Sequence, residues 1–197
     1  SSIAIPIGGG EFWGFEMGWL YYPFALFAIL GATNAFNLTD GLDGLASGLT
    51  IMVCVGLLVI IFNGQAVQLD SVALNDMAVI LVTLIGVMTG FLWFNCNPAT
   101  IFLGDSGSLS LGAGLVYIAI LLKMELVFGL MAGVFIIETA SVICQVLYFK
   151  RTGGKRIFKM APLHHHYELS GLKEPKIVMR FWISGLIFLM ISICLVI

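Results

Sequence analysis

Residues 44–69, GLASGLTIMVCVGLLVIIFNGQAVQL, run without a single charged side chain. A helix needs roughly 17 to 25 such residues to cross the hydrocarbon core of a bilayer, so this stretch reads as a membrane span. Working outward, charge-free runs recur at 17–39, 77–104, 106–122 and 181–197, and a sixth candidate, 126–149, carries one charge, Glu138. The 197 residues are 60% hydrophobic and 10% charged, with a mean hydropathy of +1.07. An ordinary soluble domain is about 25% charged, and that class is excluded. In lipid, a backbone that closes its hydrogen bonds within one segment is a helix. The expectation is an all-α, polytopic transmembrane bundle of six crossings, with residues 1–197 forming a single transmembrane domain. Short connections leave no room for a separate soluble unit, so the loops must carry any chemistry.

The charges orient the bundle. Of nine Lys and Arg, eight (Lys150, Arg151, Lys155, Arg156, Lys159, Lys173, Lys176 and Arg180) flank the connection between the fifth and sixth segments. Such an excess marks a cytoplasmic loop. Alternating crossings then put 39–44 and 95–106 on the same side, with 64–76, 123–125 and both termini outside. The outer connections look plain: Gly8, Gly9 and Gly10 read as a turn, and Asn63, Gly64 and Gln65 as the start of a polar hairpin. A net charge of −2 gives no basic field for nucleic acid. Cys54, Cys96, Cys144 and Cys194 have neither disulfide nor zinc spacing. The chain opens at Ser1 with no initiator Met, charged leader or cleavage pattern, which reads as a piece of something longer.

Three stretches on the inner side, NAFNLTDGLDGLASG, FNCNPATIFLGDSGS and RIFKMAPLHHHYELSG, gather carboxylates, amides and histidines at the ends of apolar helices. Asn34, Asn37, Asp40 and Asp43 recur every third residue, as a polar stripe on a helix would; helix capping, with Gly41 turning the chain, explains one of them and not four. Asp105 sits between Gly104 and Gly107 where a new helix begins. It reads either as an N-cap or as a carboxylate holding magnesium beside a phosphate. Phe102 is either an interfacial aromatic or a stacking platform, and Asn95 either a cap or a reader of a polar edge. His164, His165 and His166 cannot all share one helical face; hydrogen bonding to phosphate or proton exchange suits at least one of them, and zinc is a minor reading. Gln145 and Glu138, two turns apart, read as a polar pair stabilising helix packing.

NAFNLTDGLDGLASG, FLWFN, IFLGDSGSLSLG and APLHHHYELSG, in that order and separated by apolar segments, resemble the phospho-N-acetylmuramoyl-pentapeptide transferase family of bacteria. The resemblance covers essentially the whole chain. It implies the last six of ten crossings in the bacterial inner membrane, with active-site loops cytoplasmic. It also implies transfer of phospho-MurNAc-pentapeptide from UDP-MurNAc-pentapeptide to undecaprenyl phosphate with release of UMP, and a homodimer. Mg2+ is the implied cofactor, with Asp105 as its ligand. Catalytic positions carry over to Asp40, Asp43, Asp105 and His165. The substrate pocket carries over to Asn37, Asp40, Gly41, Leu42, Asp43, Asn95, Phe102, Gln145, Ala161, His164, His165 and His166, with Phe102 under the uracil. The family's adjacent aspartate pair is not in these residues, so the stretch lacks a complete site. Whether an aspartate forms a covalent intermediate or assists direct attack stays open. Two other readings stand beside this one: a polyprenyl-phosphate GlcNAc-1-phosphate transferase using UDP-GlcNAc, and, in a different class, an ion-coupled transporter whose ligands would sit near the midplane. A noncatalytic scaffold is a third.

Overall fold

The computed structural model describes residues 2–8, 11–64 and 69–197. Six helices among them are long and apolar enough to cross a membrane. They are α1 (Tyr21–Thr39), α2 (Leu45–Phe62), α3 (Ser71–Asn95), α4 (Gly104–Leu121), α6 (Gly133–Arg151) and α8 (Glu174–Val196), with shorter helices α5 (Glu125–Met131) and α7 (Leu163–Glu168) between them. The α-helical bundle expected from the charge-free runs is present. Local chemistry sets the boundaries. Gly44 takes a left-handed φ of 79° to start α2, and the Asp70 carboxylate accepts the Ala73 amide at 2.7 Å to cap α3. Lys150 and Arg151 close α6 where its dipole favours cations.

Two features depart from the sequence reading. The fifth segment, expected as one crossing over 126–149, is broken at Ala132 into α5 and α6. Hydrogen bonds from Ala132 to Phe128 (2.8 Å) and from Ile136 to Ala132 (3.0 Å) persist across the break, so it is a kink and not a loop. Gly133 lies there against the Phe188 ring of α8, where a Cβ would approach within 2.7 Å. The second departure is a two-stranded antiparallel sheet, β1 (Ser2–Gly8) and β2 (Glu11–Glu16), which pairs Ile5 with Trp13 and Ile3 with Phe15. Its β-branched and aromatic residues at alternate positions fit a pleated surface. β1 packs on α5 and α8, at the end of the bundle from which α1 starts. Gly9, Gly10 and Gln65, read above as turn and hairpin residues, lie outside the described residues.

The core forms around α2, whose all-round apolar surface buries Leu45, Leu49, Val53, Leu57 and Ile60. Beside it, Phe36 of α1 stacks on Phe135 of α6 with ring centroids 3.8 Å apart and planes 5° from parallel. The contact that positions the site is between α1 and α4. Gly112 lies so close to α1 that a Cβ there would meet the Ala32 carbonyl oxygen at 2.7 Å and the Thr33 Cα at 2.9 Å. Backbone cannot yield as a flexible side chain does. We expect Gly112→Ala to separate α1 from α4 and cost about 1–3 kcal/mol, read as a lowered thermal midpoint in detergent; an unchanged midpoint would refute the close approach.

Candidate active site at one end of the bundle

The close approach of α1 and α4 brings two polar ends together. In the last turns of α1, the Asn37 amide donates to Asp105 Oδ1 at 2.9 Å and to Ser108 Oγ at 3.1 Å. Asp105 is in the first turn of α4, where the dipole favours an anion, but it does not cap that helix: Leu103 stands at the N-cap position. Its carboxylate is therefore turned outward, exposed and held on one oxygen by Asn37. Asp40, just past the end of α1, is half-buried and faces Asp105. Burial pushes its carboxyl above the ordinary range, and the Asp105 charge adds to this, against an opposing hydrogen bond from the Gly104 backbone. Asp40, Gly41, Leu42, Asp43, Asn95, Phe102, Leu103 and Gly104 line a pocket of about 190 Å³. The Phe102 side chain, 74% exposed, stands at this pocket.

The regular stripe expected from Asn34, Asn37, Asp40 and Asp43 does not form, because α1 stops at Thr39. Asn34 donates back to Leu30 O at 2.7 Å within its own helix. Asp43 is held by the second loop: its Oδ2 accepts the Ala99 amide at 2.9 Å and Asn97 Nδ2 at 3.1 Å. Glu174, opening α8, completes that clamp by accepting the Asp43 amide at 2.7 Å and Asn97 Nδ2 at 3.1 Å. Asn95, buried, accepts from the Gly44 amide (3.2 Å) and Ser47 Oγ (2.7 Å) and donates to Ile101 O (2.9 Å). These side chains fix the first and second loops against each other. The sequence reading missed Glu174 and Asn97; the signal it could have used for Glu174 is an acidic residue opening α8 inside an otherwise basic run.

The third loop sits alongside. Gln145 does not pair with Glu138, contrary to the sequence reading. It instead accepts the amides of Ile157 and Phe158 and donates to Phe158 O, each at 3.0 Å. Gln145 and Ala161 line a separate concavity of about 400 Å³ with Lys150 and Arg156. The three histidines divide as consecutive residues on a short helix must. His164 is fully buried with Nδ1 3.1 Å from Glu138 Oε2, and His165 Nδ1 lies 2.7 Å from Glu168 Oε2. His166 Nδ1 accepts the Lys159 amide at 3.1 Å. His164 alone reaches the first loop, where its ring occupies the space a Cβ at Gly41 would need. Among the described residues no three His, Cys, Asp or Glu side chains converge to hold a metal ion. The Asp105 and Asp40 pair still suits Mg2+, which typically takes one or two carboxylates and fills its shell with water and substrate phosphate.

Residues 3–123 match the family described as Glycosyl transferase family 4. The chain belongs to that family. Among curated relatives, it is 48% identical over 180 residues to the phospho-N-acetylmuramoyl-pentapeptide-transferase of Desulfovibrio desulfuricans, covering 88% of this chain and 50% of the relative. It is 49% identical over 186 residues to the protein of that name from Rickettsia bellii, covering 90% and 51%. For Thermodesulfovibrio yellowstonii the figures are 47% over 188 residues, 92% and 52%. The chain therefore spans about half the length of the curated relatives it matches.

The raised carboxyl of Asp40 has a consequence for stability. Stability from such a group is full below the ordinary carboxylate range and is lost as pH rises through the raised value. Asp40→Asn keeps an oxygen for the Gly104 amide and removes the charge facing Asp105. Without divalent ions at pH 7 we expect this variant to be more stable than the wild type, by a margin that solvent screening keeps small. The difference should vanish below about pH 4. Denaturation in detergent across a pH series checks this, and a less stable variant at pH 7 would contradict it.

Proposed function

We propose that the whole protein transfers phospho-MurNAc-pentapeptide from UDP-MurNAc-pentapeptide to undecaprenyl phosphate, releasing UMP, in the inner membrane of a bacterium with the Asp40–Asp105 end cytoplasmic. The observation that carries this reading is the meeting of Asn37, Asp40 and Asp105 beside Phe102 at one end of a membrane bundle, in a chain 47–49% identical to proteins of that name. Both substrates are anionic and one is a lipid, so a site at the ends of apolar helices lets a nucleotide arrive from water and a lipid phosphate from the bilayer. A membrane transporter would hold its ion nearer the midplane; here Asp40 follows the end of α1 and Asp105 opens α4.

The residues divide the work. Phe102, exposed at the pocket, offers a face on which uracil stacks. Asn37 orients the Asp105 carboxylate through its 2.9 Å hydrogen bond. Asp105, with Asp40 beside it, would hold Mg2+, which when bound offsets phosphate repulsion and charge developing on the departing UMP. Asp43 and Asn95 keep the pocket's loops in register, while Gln145 and Ala161 shape the neighbouring concavity and His165, on the following short helix, offers a hydrogen bond to phosphate. The same resemblance supplies a homodimer as the assembly.

The deciding experiment measures UMP release by the full-length protein in detergent with undecaprenyl phosphate, titrating Mg2+ and offering UDP-MurNAc-pentapeptide or UDP-GlcNAc. We expect release from the muramoyl nucleotide alone, lost on chelation and reduced roughly 100-fold or more by Asp105→Ala. Release from UDP-GlcNAc would change the substrate, and no release from either would overturn the transferase reading.

A further inference from the structure

Glu138 is a carboxylate in the first half of a membrane-spanning helix, fully buried, and its Oε2 lies 3.1 Å from Nδ1 of the equally buried His164. Polar side chains at such depth are costly unless paired, and the pair accounts for one atom of each. The remaining atoms, Glu138 Oε1 and His164 Nε2, have no hydrogen-bond partner among the described residues. A bridge serving only to join α6 to α7 would be expected to satisfy both ring nitrogens, because buried polar atoms without partners are uncommon. Nε2 instead abuts Gly41, where any Cβ would collide with it, and Gly41 lines the pocket with Asp40 and Phe102. The ring thus reaches from the interior of the bundle to the back of Gly41, whose other side lines the pocket, with one nitrogen uncommitted.

We propose that Glu138 is a positioning residue for His164: its carboxylate accepts the Nδ1 proton, locks the ring, and leaves Nε2 as a lone-pair acceptor at the Asp40–Gly41 turn, for an O–H donor of the bound substrates or of water. With the carboxylate as acceptor, the proton of this hydrogen bond sits on Nδ1. Which ring nitrogen is protonated is then set by the buried partner, the arrangement by which second-layer carboxylates orient functional histidines. The role in catalysis rests on the transferase reading above. The orientation of the ring does not.

The test uses the full-length protein with 15N-labelled histidine, the His164 signal being the one lost in His164→Ala. We expect Nδ1 of His164 to be protonated and hydrogen-bonded in the wild type. Glu138→Gln conserves volume but can offer Nδ1 either an oxygen or an N–H, so the single protonation pattern should give way to a mixture. In that variant kcat for UMP release should fall about 10–100-fold, with a smaller change in KM, and adding it to His164→Ala should produce no further loss. An unprotonated Nδ1 in the wild type, a wild-type kcat in Glu138→Gln, or a loss that multiplies with that of His164→Ala would each overturn the proposal. If the wild type releases no UMP, the transferase reading fails, while the nitrogen signals still decide whether Glu138 sets the ring.

Discussion

Every peptide group that enters the hydrocarbon must close its hydrogen bond within the protein, and an apolar chain of this length does so by running from one side to the other as helices. Irregular backbone is thereby pushed to the two ends. Asp40, Asp43, Asn95, Asp105 and the histidines all fall on such stretches or on the helix turns beside them, at one end of the bundle. The chemistry is at the helix ends because the lipid leaves few other places for it. Glu138 lies within a span, and it is buried against His164.

Helix packing turns this sorting into a site. Gly112 lets α1 and α4 approach until backbone meets backbone, and that approach places Asn37 within 2.9 Å of Asp105. Around this contact the polar residues serve two purposes. Asn95, Gln145, Asn97 and Glu174 spend their hydrogen bonds on loop backbone or on one another, which a chain must do where its amides leave a helix near lipid. Asp40 lines an open pocket with the exposed Asp105 facing it, and burial, with the Asp105 charge adding to it, raises the Asp40 carboxyl. Residue types that look alike along the chain are therefore unlike in use: Asp43 is bound on both its backbone and its side chain, whereas Asp105 is bound on one oxygen alone.

The sequence by itself determined the number and approximate extent of the spans, because apolar length against bilayer thickness is a local property. It also determined that Asp105 opens a helix, that the polar motifs belong together, and which family the chain joins, since these are read from residue types in order. Only the tertiary structure decided the kink at Ala132, where Gly133 meets Phe188 from a helix far along the chain. It alone gave Asn34 and Asp43 partners other than those of Asn37, because the three-residue spacing holds its meaning only while the helix continues, and α1 ends at Thr39. It replaced the expected Gln145–Glu138 pair with two unrelated partnerships, to the loop backbone at 157–158 and to His164. Spacing along one helix says which side chains share a face; what that face meets is settled by segments that arrive from elsewhere in the chain.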